Sequence, residues 1–271
     1  REATTITTQV IDIDHVSGEL GERAIDALMG EIAARATNGV VALRDGRRWV
    51  SELQPITLPP AAISPWRHGG CYLITGGLGG IGLSIAEHIA ASVTAPTIVL
   101  AGRSGLPAES SWDVLVADPG TDALTRLRIE AVRRMRAAGA TVVLERADVS
   151  QRADIDALVQ RVTSAAGSIH GVVHAAGVLD DVLIALRPTN PRSPVVDTKL
   201  LGALHLVDAL SGSGTEFIVL CSSVSTYLGL PGDHLLDEGE VAGDLLGERL
   251  QHLDRDPCPS IVSGFERLNH V

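Results

Sequence analysis

The residues with the clearest chemical purpose follow a short apolar run, Cys71 to Thr75. They are Thr75-Gly76-Gly77-Leu78-Gly79-Gly80-Ile81-Gly82, and they lead directly into an amphipathic stretch, Leu83 to Ala91. Glycines in that order let the backbone turn tightly and approach a pyrophosphate, whose charge is met by the amides at a helix N-terminus. About 20 residues past the last glycine, where a dinucleotide fold meets the adenosine ribose, a second apolar run ends in Ala101-Gly102-Arg103-Ser104. An acidic side chain there would take the free 2′-hydroxyl of NAD. Arg103 and Ser104 instead suit the 2′-phosphate of NADPH, because a guanidinium meets phosphate in fork geometry. Asp148 and Val149 are expected beside the adenine, and His174, Ala175, Ala176 and Gly177 against the ribose and nicotinamide.

Positioning these residues requires a particular scaffold. From Gly70 onward, short apolar strands alternate with helix-length segments: Cys71 to Thr75, Thr97 to Ala101, Thr141 to Ala147, Gly171 to His174, Phe217 to Ser222 and Ser260 to Ser263. That alternation implies right-handed βαβ crossovers and an α/β, Rossmann-like, doubly wound parallel sheet. The stretch from Gly105 to Thr125 exceeds a normal connection and is expected to be an insertion flanking the cofactor site. Upstream, the pattern predicts a strand over Gln9 to Ile13. A helix capped by Ser17 follows, with Leu20, Ala24, Ala27, Leu28 and Ile32 on one face, and then a hairpin of Val40 to Leu43 and Arg48 to Leu53 about Asp45-Gly46. One βα unit and a hairpin are too little to close a sheet. Four prolines between Pro55 and Pro65 mark a linker.

Composition narrows the function classes. The formal charge is −11 with no basic run, so the footprint needed to hold a phosphate backbone is missing and nucleic acid is not an expected partner. Cys71, Cys221 and Cys258 are odd in number and widely spaced, which argues against disulfides and zinc. The apolar stretch from Ile81 to Val93 is broken by Glu87 and His88 short of bilayer length. No signal peptide precedes Arg1, so a cytoplasmic location is expected, and the absence of an opening Met suggests a piece of something larger.

Three phrases narrow the dinucleotide reading: Tyr72 to Gly82, His174-Ala175-Ala176-Gly177-Val178-Leu179-Asp180-Asp181, and Ser222-Ser223-Val224. Together they resemble the ketoreductase domains of type I modular polyketide synthases, within the short-chain dehydrogenase/reductase superfamily. The resemblance runs from about residue 40 to the C-terminus. It implies that residues 1–54, ending in Val41-Ala42-Leu43-Arg44-Asp45-Gly46-Arg47-Arg48, are the C-terminal part of a truncated Rossmann-like structural subdomain. Residues 55–69 would be the linker and 70–271 the NADP-binding catalytic subdomain. It also implies the acyl carrier protein and neighbouring synthase domains as partners, with an acyl thioester as substrate. Leu179-Asp180-Asp181 matches the family's B-type stereochemical signature.

The same resemblance assigns the catalytic roles. Ser223 takes the serine position, hydrogen-bonding the substrate carbonyl. Lys199, 24 residues earlier and the only lysine among 22 basic residues, fits the lysine that binds the nicotinamide ribose and lowers the tyrosine pKa. The tyrosine is expected about 13 residues after Ser223, but the chain reads Gly232-Asp233-His234-Leu235-Leu236-Asp237-Glu238-Gly239-Glu240, with Leu236 at the tyrosine position and Glu240 at the asparagine position. Leucine carries no proton, and loss of a positioned general acid costs about 10²–10⁴ in rate. Three readings follow: a reductase with Tyr227 or His234 as substitute donor, a non-catalytic scaffold, or an epimerase of α-substituted β-ketothioesters. The first and third both face the missing tyrosine.

Overall fold

The computed structural model describes residues 9–13, 21–34, 40–44, 46–50, 52, 54–57, 64–180, 193–223, 260–263 and 269–270. The chain divides into a small unit, residues 1–62 with 265–271, and a large unit, residues 63–264.

In the small unit, β1 (Val10–Ile13), α1 (Glu22–Ala33), β2 (Val40–Arg44) and β3 (Arg47–Val50) follow in order. β1 pairs parallel to β2, and β2 pairs antiparallel to β3 across Gly46, whose φ of +71° is the left-handed value that a tight turn needs. The α1 N-cap is Gly21; Ser17, the expected cap, lies outside the described residues. The expectation of too few strands is corrected by the chain's end. Strand β10 (Asn269–His270) pairs antiparallel with β3, giving a four-stranded sheet in the order β1-β2-β3-β10. The unit therefore takes residues 265–271 from the segment assigned by sequence to the catalytic subdomain. Glu31 is its buried charge, held by Arg48 Nε and Nη2 at 2.7 and 2.9 Å and by Gln9 Nε2 at 2.8 Å.

The large unit is built on β4 (Cys71–Thr75), α2 (Gly80–Ser92), β5 (Thr97–Gly102), α3 (Trp112–Ala117), α4 (Ala123–Ala137), β6 (Thr141–Arg146), α5 (Arg152–Ala166) and β7 (Gly171–His174). It continues with α6 (Pro194–Val196), a π-helical turn (Asp197–Leu201), α7 (Gly202–Leu210), β8 (Phe217–Leu220) and β9 (Ser260–Ser263). All its strand pairs are parallel, in the order β6-β5-β4-β7-β8-β9. The doubly wound Rossmann-like sheet expected from the alternation is thus present.

The central strand shows why this sequence forms it. β4 is buried at every residue, and its side chains alternate between faces as strand geometry demands. Tyr72 and Ile74 join Leu83, Ile89, Ile129 and Met135 on the α2 and α4 side. Cys71 and Leu73 join Ile155, Leu158, Leu206 and Leu210 on the α5 and α7 side. Burying such aliphatic side chains stabilises by about 1.5–3 kcal/mol each, which places the core on both faces of the sheet. The helices end where their local chemistry says they should. Asp122 caps α4 by accepting from Thr125 N at 2.9 Å, and Gly167, at φ +82°, closes α5.

The long connection from Gly105 to Thr125 is packed rather than loose. Trp112 is 3% exposed, donates Nε1–H to the Pro107 carbonyl at 2.9 Å, and lies under the Arg136 guanidinium, 5.5 Å from the ring centroid. Among the described residues no helix is long and apolar enough to cross a membrane, and no group of His, Cys, Asp or Glu could hold a metal.

Candidate functional site

Strand order reverses between β4 and β7, and ligands of such sheets bind beyond the carboxyl ends of the strands at that switch point. The described site residues gather there. Gly76 to Gly82 follow β4, Arg103 and Ser104 follow β5, Asp148 follows β6, Ala175 to Gly177 follow β7, and Ser223 follows β8.

The glycine loop is shaped by contacts that leave no room for side chains. Gly76 has φ +66°, and a Cβ there would stand 2.6 Å from the Ala175 carbonyl oxygen. At Gly77 it would meet the Ile74 carbonyl oxygen and Leu100 Cα at 2.8 Å, and at Gly82 the Gly76 carbonyl oxygen at 2.5 Å. Gly79, extended at φ −82° and ψ 167°, is the N-cap of α2, so the helix starts at Gly80, three residues before the expected Leu83. Gly80 and Ile81 are exposed on the first turn, and a Cβ on Gly80 would meet nothing within 4 Å. Early amides of a helix have no intrahelical partner, so this open turn fits a pyrophosphate. Leu78, by contrast, is buried in the core, and its carbonyl accepts from Arg128 Nε on α4 at 2.7 Å.

At the adenosine corner, Arg103 and Ser104 are exposed. Arg146, in register with Gly102 on the neighbouring strand, lays its Nε 3.3 Å from the Arg103 carbonyl oxygen. A second guanidinium thus reaches the corner where a 2′-phosphate would lie. Asp148 Oδ1 accepts from Ser150 N at 3.0 Å and Ser150 Oγ at 2.8 Å, closing its own turn. Val149 is only 5% exposed and packs against Gly202, so its side chain belongs to the core.

Two further expected contacts turn inward. Thr75 is fully buried and His174 is 3% exposed. Thr75 Oγ1 lies 2.7 Å from His174 Nδ1, and His174 Nε2 lies 3.2 Å from the Thr198 carbonyl oxygen. These side chains brace the site from behind. Burial, aided by the nearby Lys199 charge, pushes the His174 pKa down to about 4, so the ring is neutral at physiological pH.

Lys199 sits in the π-helical turn and donates Nζ–H to the Cys221 carbonyl at 3.0 Å. Its Nζ and Cε lie 3.7 Å from where a Gly177 Cβ would be, which brings the amine to the lip where a nicotinamide ribose is expected. Burial lowers its pKa from the ordinary lysine value. Ser223 is exposed two residues past that carbonyl. Leu179 is 91% exposed and Asp180 half-buried in the segment after β7. Asp181, Tyr227, His234, Leu236 and Glu240 lie outside the described residues.

The arrangement is a glycine-lined helix start, open enough for a dinucleotide, beside a partly buried amine. A family model described as the KR domain matches residues 70–235. The chain belongs to the KR domain family. Among curated relatives, a phenolphthiocerol/phthiocerol polyketide synthase component of Mycobacterium tuberculosis (strain H37Rv) is 33% identical over 219 residues, 80% of this chain and 11% of that protein. The polyketide synthase PksN of Bacillus subtilis (strain 168) is 28% identical over 225 residues, 83% of this chain and 4% of that protein. The crystal structure of a ketoreductase domain from the bacillaene assembly line superposes with a TM-score of 0.72 at 27% identity, covering 92% of this chain and 54% of that one. This KR domain therefore spans about a tenth or less of the synthases it matches and about half of that solved domain.

Sequence reasoning missed Arg128, Arg146 and Thr198. Arg146 was within reach of it, since two parallel six-residue strands in register place Arg146 beside Gly102. Arg128 and Thr198 act through a guanidinium and a backbone carbonyl whose partners are remote in sequence, and neither leaves a local signal.

Proposed function

We propose that this KR domain binds NADPH at the carboxyl edge of its large sheet and belongs to the type that reduces a β-ketoacyl thioester on an acyl carrier protein, with its own reductive step lost or impaired. The observation that carries the binding half is the glycine cradle. Gly76, Gly77 and Gly82 are excluded from bearing side chains by atoms 2.5–2.8 Å away, while the helix turn at Gly80 is left open.

NADPH, when bound, supplies the hydride. The chain's own residues have separate tasks. Backbone amides at the start of α2 receive the pyrophosphate. Arg103 and Ser104, with Arg146 alongside, frame the 2′-phosphate. Lys199 offers a partly desolvated cation to the nicotinamide ribose, and Ser223 offers a hydroxyl to the substrate carbonyl oxygen. The alkoxide that forms there needs a proton. Leu236, at the position of the family's tyrosine, cannot give one. Leu179 and Asp180 at the rim suit the B-type signature and so a single face of the ketone.

A fluorescence titration with NADPH followed by a turnover assay with a soluble β-ketoacyl thioester in the same cuvette tests this. Saturable binding with turnover far below that of the double variant Leu236→Tyr, Glu240→Asn is expected. Fast oxidation of NADPH by the unaltered protein would sink the impaired-reductase reading in favour of a substitute donor, and absence of binding would leave a scaffold for the synthase.

A further inference from the structure

The geometry assigns His174 a positioning role: a buried imidazole strut that fixes the turn carrying Lys199 and so sets where the amine is presented. The inference rests on the reading of Lys199 as the ribose-side cation, but its test does not require cofactor.

Four residues close a ring of hydrogen bonds. The His174 carbonyl accepts from Cys221 N at 3.0 Å, and the Cys221 carbonyl accepts from Lys199 Nζ at 3.0 Å. Thr198, the residue before Lys199, offers its carbonyl oxygen to His174 Nε2 at 3.2 Å, which returns the ring to its start. Both ends of the amine's lever arm, its backbone and its Nζ, are therefore tied to one histidine.

The protonation state follows from the partners. The Thr198 carbonyl can only accept, so Nε2 must carry the proton, and in a neutral ring Nδ1 then accepts from Thr75 Oγ1–H at 2.7 Å. Thr75 in turn ends the strand that opens into the glycine loop. One neutral ring thus links the base of the dinucleotide cradle to the turn bearing the amine. The ring face is closed by Gly202, whose Cβ, if present, would stand 3.2 Å from His174 Cε1 and 2.9 Å from Val149 Cγ2. Among the described residues the titratable group whose charge acts on this ring is Lys199, and a protonated imidazole would set a second cation against the amine.

The turn itself is suited to being held from outside. Asp197–Leu201 is π-helical, a geometry rare in length and stability that persists where surroundings impose it. Thr198 Oγ1 donates back to the Pro194 carbonyl at 2.8 Å, so the same residue is pinned on both its side chain and its carbonyl.

The chain's single lysine makes the test direct. With 15N-lysine labelling, Lys199 gives one side-chain ammonium signal, and its titration is read without cofactor. In the unaltered protein the midpoint is expected below the ordinary lysine value of 10.5. In His174→Leu, with both ring bonds gone, the amine swings toward water and the midpoint rises toward the ordinary lysine value. In His174→Gln, which keeps an amide donor for the Thr198 carbonyl, most of the depression returns. Identical midpoints in the unaltered protein and in a folded His174→Leu would overturn the assignment, as would a rise in His174→Gln as large as in His174→Leu. Should His174→Leu fail to fold, Thr75→Val, which removes only the Nδ1 partner, is expected to raise the midpoint, and an unchanged midpoint there overturns it. A protein that shows the coupling but binds no NADPH would refute the proposed function while leaving the strut in place.

Discussion

The two halves of the cleft are built on different principles. The half proposed to hold the dinucleotide rests on backbone: a glycine loop packed too closely at Gly76, Gly77 and Gly82 to admit a Cβ, a helix start and two strand ends, with a core on both sides of the sheet. The half proposed to deliver the proton would rest on individual side chains, Lys199, Ser223 and whatever stands at position 236. Shape made by backbone and core survives many substitutions, because no single side chain supplies it. A proton relay is a series of single atoms, and on the proposed reading a leucine at position 236 would end it. A KR domain can therefore keep its fold and its cofactor cradle while losing its reaction.

The largest expected effect restores the weaker half. Leu236→Tyr with Glu240→Asn is predicted to raise the rate of β-ketoacyl thioester reduction by about 10²–10⁴, the usual worth of a positioned general acid. The NADPH dissociation constant should stay within a factor of about three if binding and proton delivery are separable. Steady-state rates and a binding titration on the same preparation check both. A variant that gains nothing would place the lesion elsewhere in the relay.

Next comes the joint between the halves. His174 titrates near 6.5 when unfolded and about 4 when folded. Between those values the unfolded chain takes up a proton that the folded chain refuses, so stability present above pH 6.5 is lost as pH falls toward 4, by about 3 kcal/mol. Urea midpoints of the unaltered protein and His174→Gln, compared at pH 7 and pH 4.5, isolate this from the carboxylates that both share. The gap between the two proteins should change with pH, and parallel curves would mean that the imidazole titrates normally.

Within the cradle, Gly76→Ala must adopt φ +66° and press a methyl against the Ala175 backbone. A cost of about 1–3 kcal/mol in stability is expected, together with loss of NADPH binding, read by thermal melts and titration. At the adenosine corner, Arg146→Leu should lower the preference for NADPH over NADH by about tenfold, with Arg103→Leu as the comparison. Equal affinities in the unaltered protein would remove the 2′-phosphate from the argument.

What the sequence alone makes legible follows the same divide. The strands Cys71–Thr75, Gly171–His174 and Ser260–Ser263 were legible to the residue, since apolar runs bounded by turn-formers fix parallel strands locally. So was the glycine loop. The inward turn of Thr75, His174 and Val149 was not, because motif position says which strand end a residue occupies but not which way its side chain faces. Nor was the fourth strand of the small sheet, which pairs residues more than 200 apart in sequence: β10 with β3. Long-range pairing leaves no local periodicity to read.

The smallest effect separates fold from ligand most cleanly. Gly80, unlike Gly76 and Gly82, has both an ordinary φ and open space, and a Cβ on it would meet nothing within 4 Å beyond its own turn. Nothing in the fold asks for glycine there. Alanine at the start of α2 should leave stability unchanged or raise it by up to about 1 kcal/mol, since it orders the helix at less entropic cost. Its methyl would nonetheless stand over the open amides where the pyrophosphate is placed. Gly80→Ala is therefore expected to hold or raise the melting temperature while weakening NADPH by about tenfold. If instead it melts lower and binds NADPH unchanged, the glycine serves the helix start and not the cofactor, and the cradle would have to be redrawn around Gly76 and Gly82 alone.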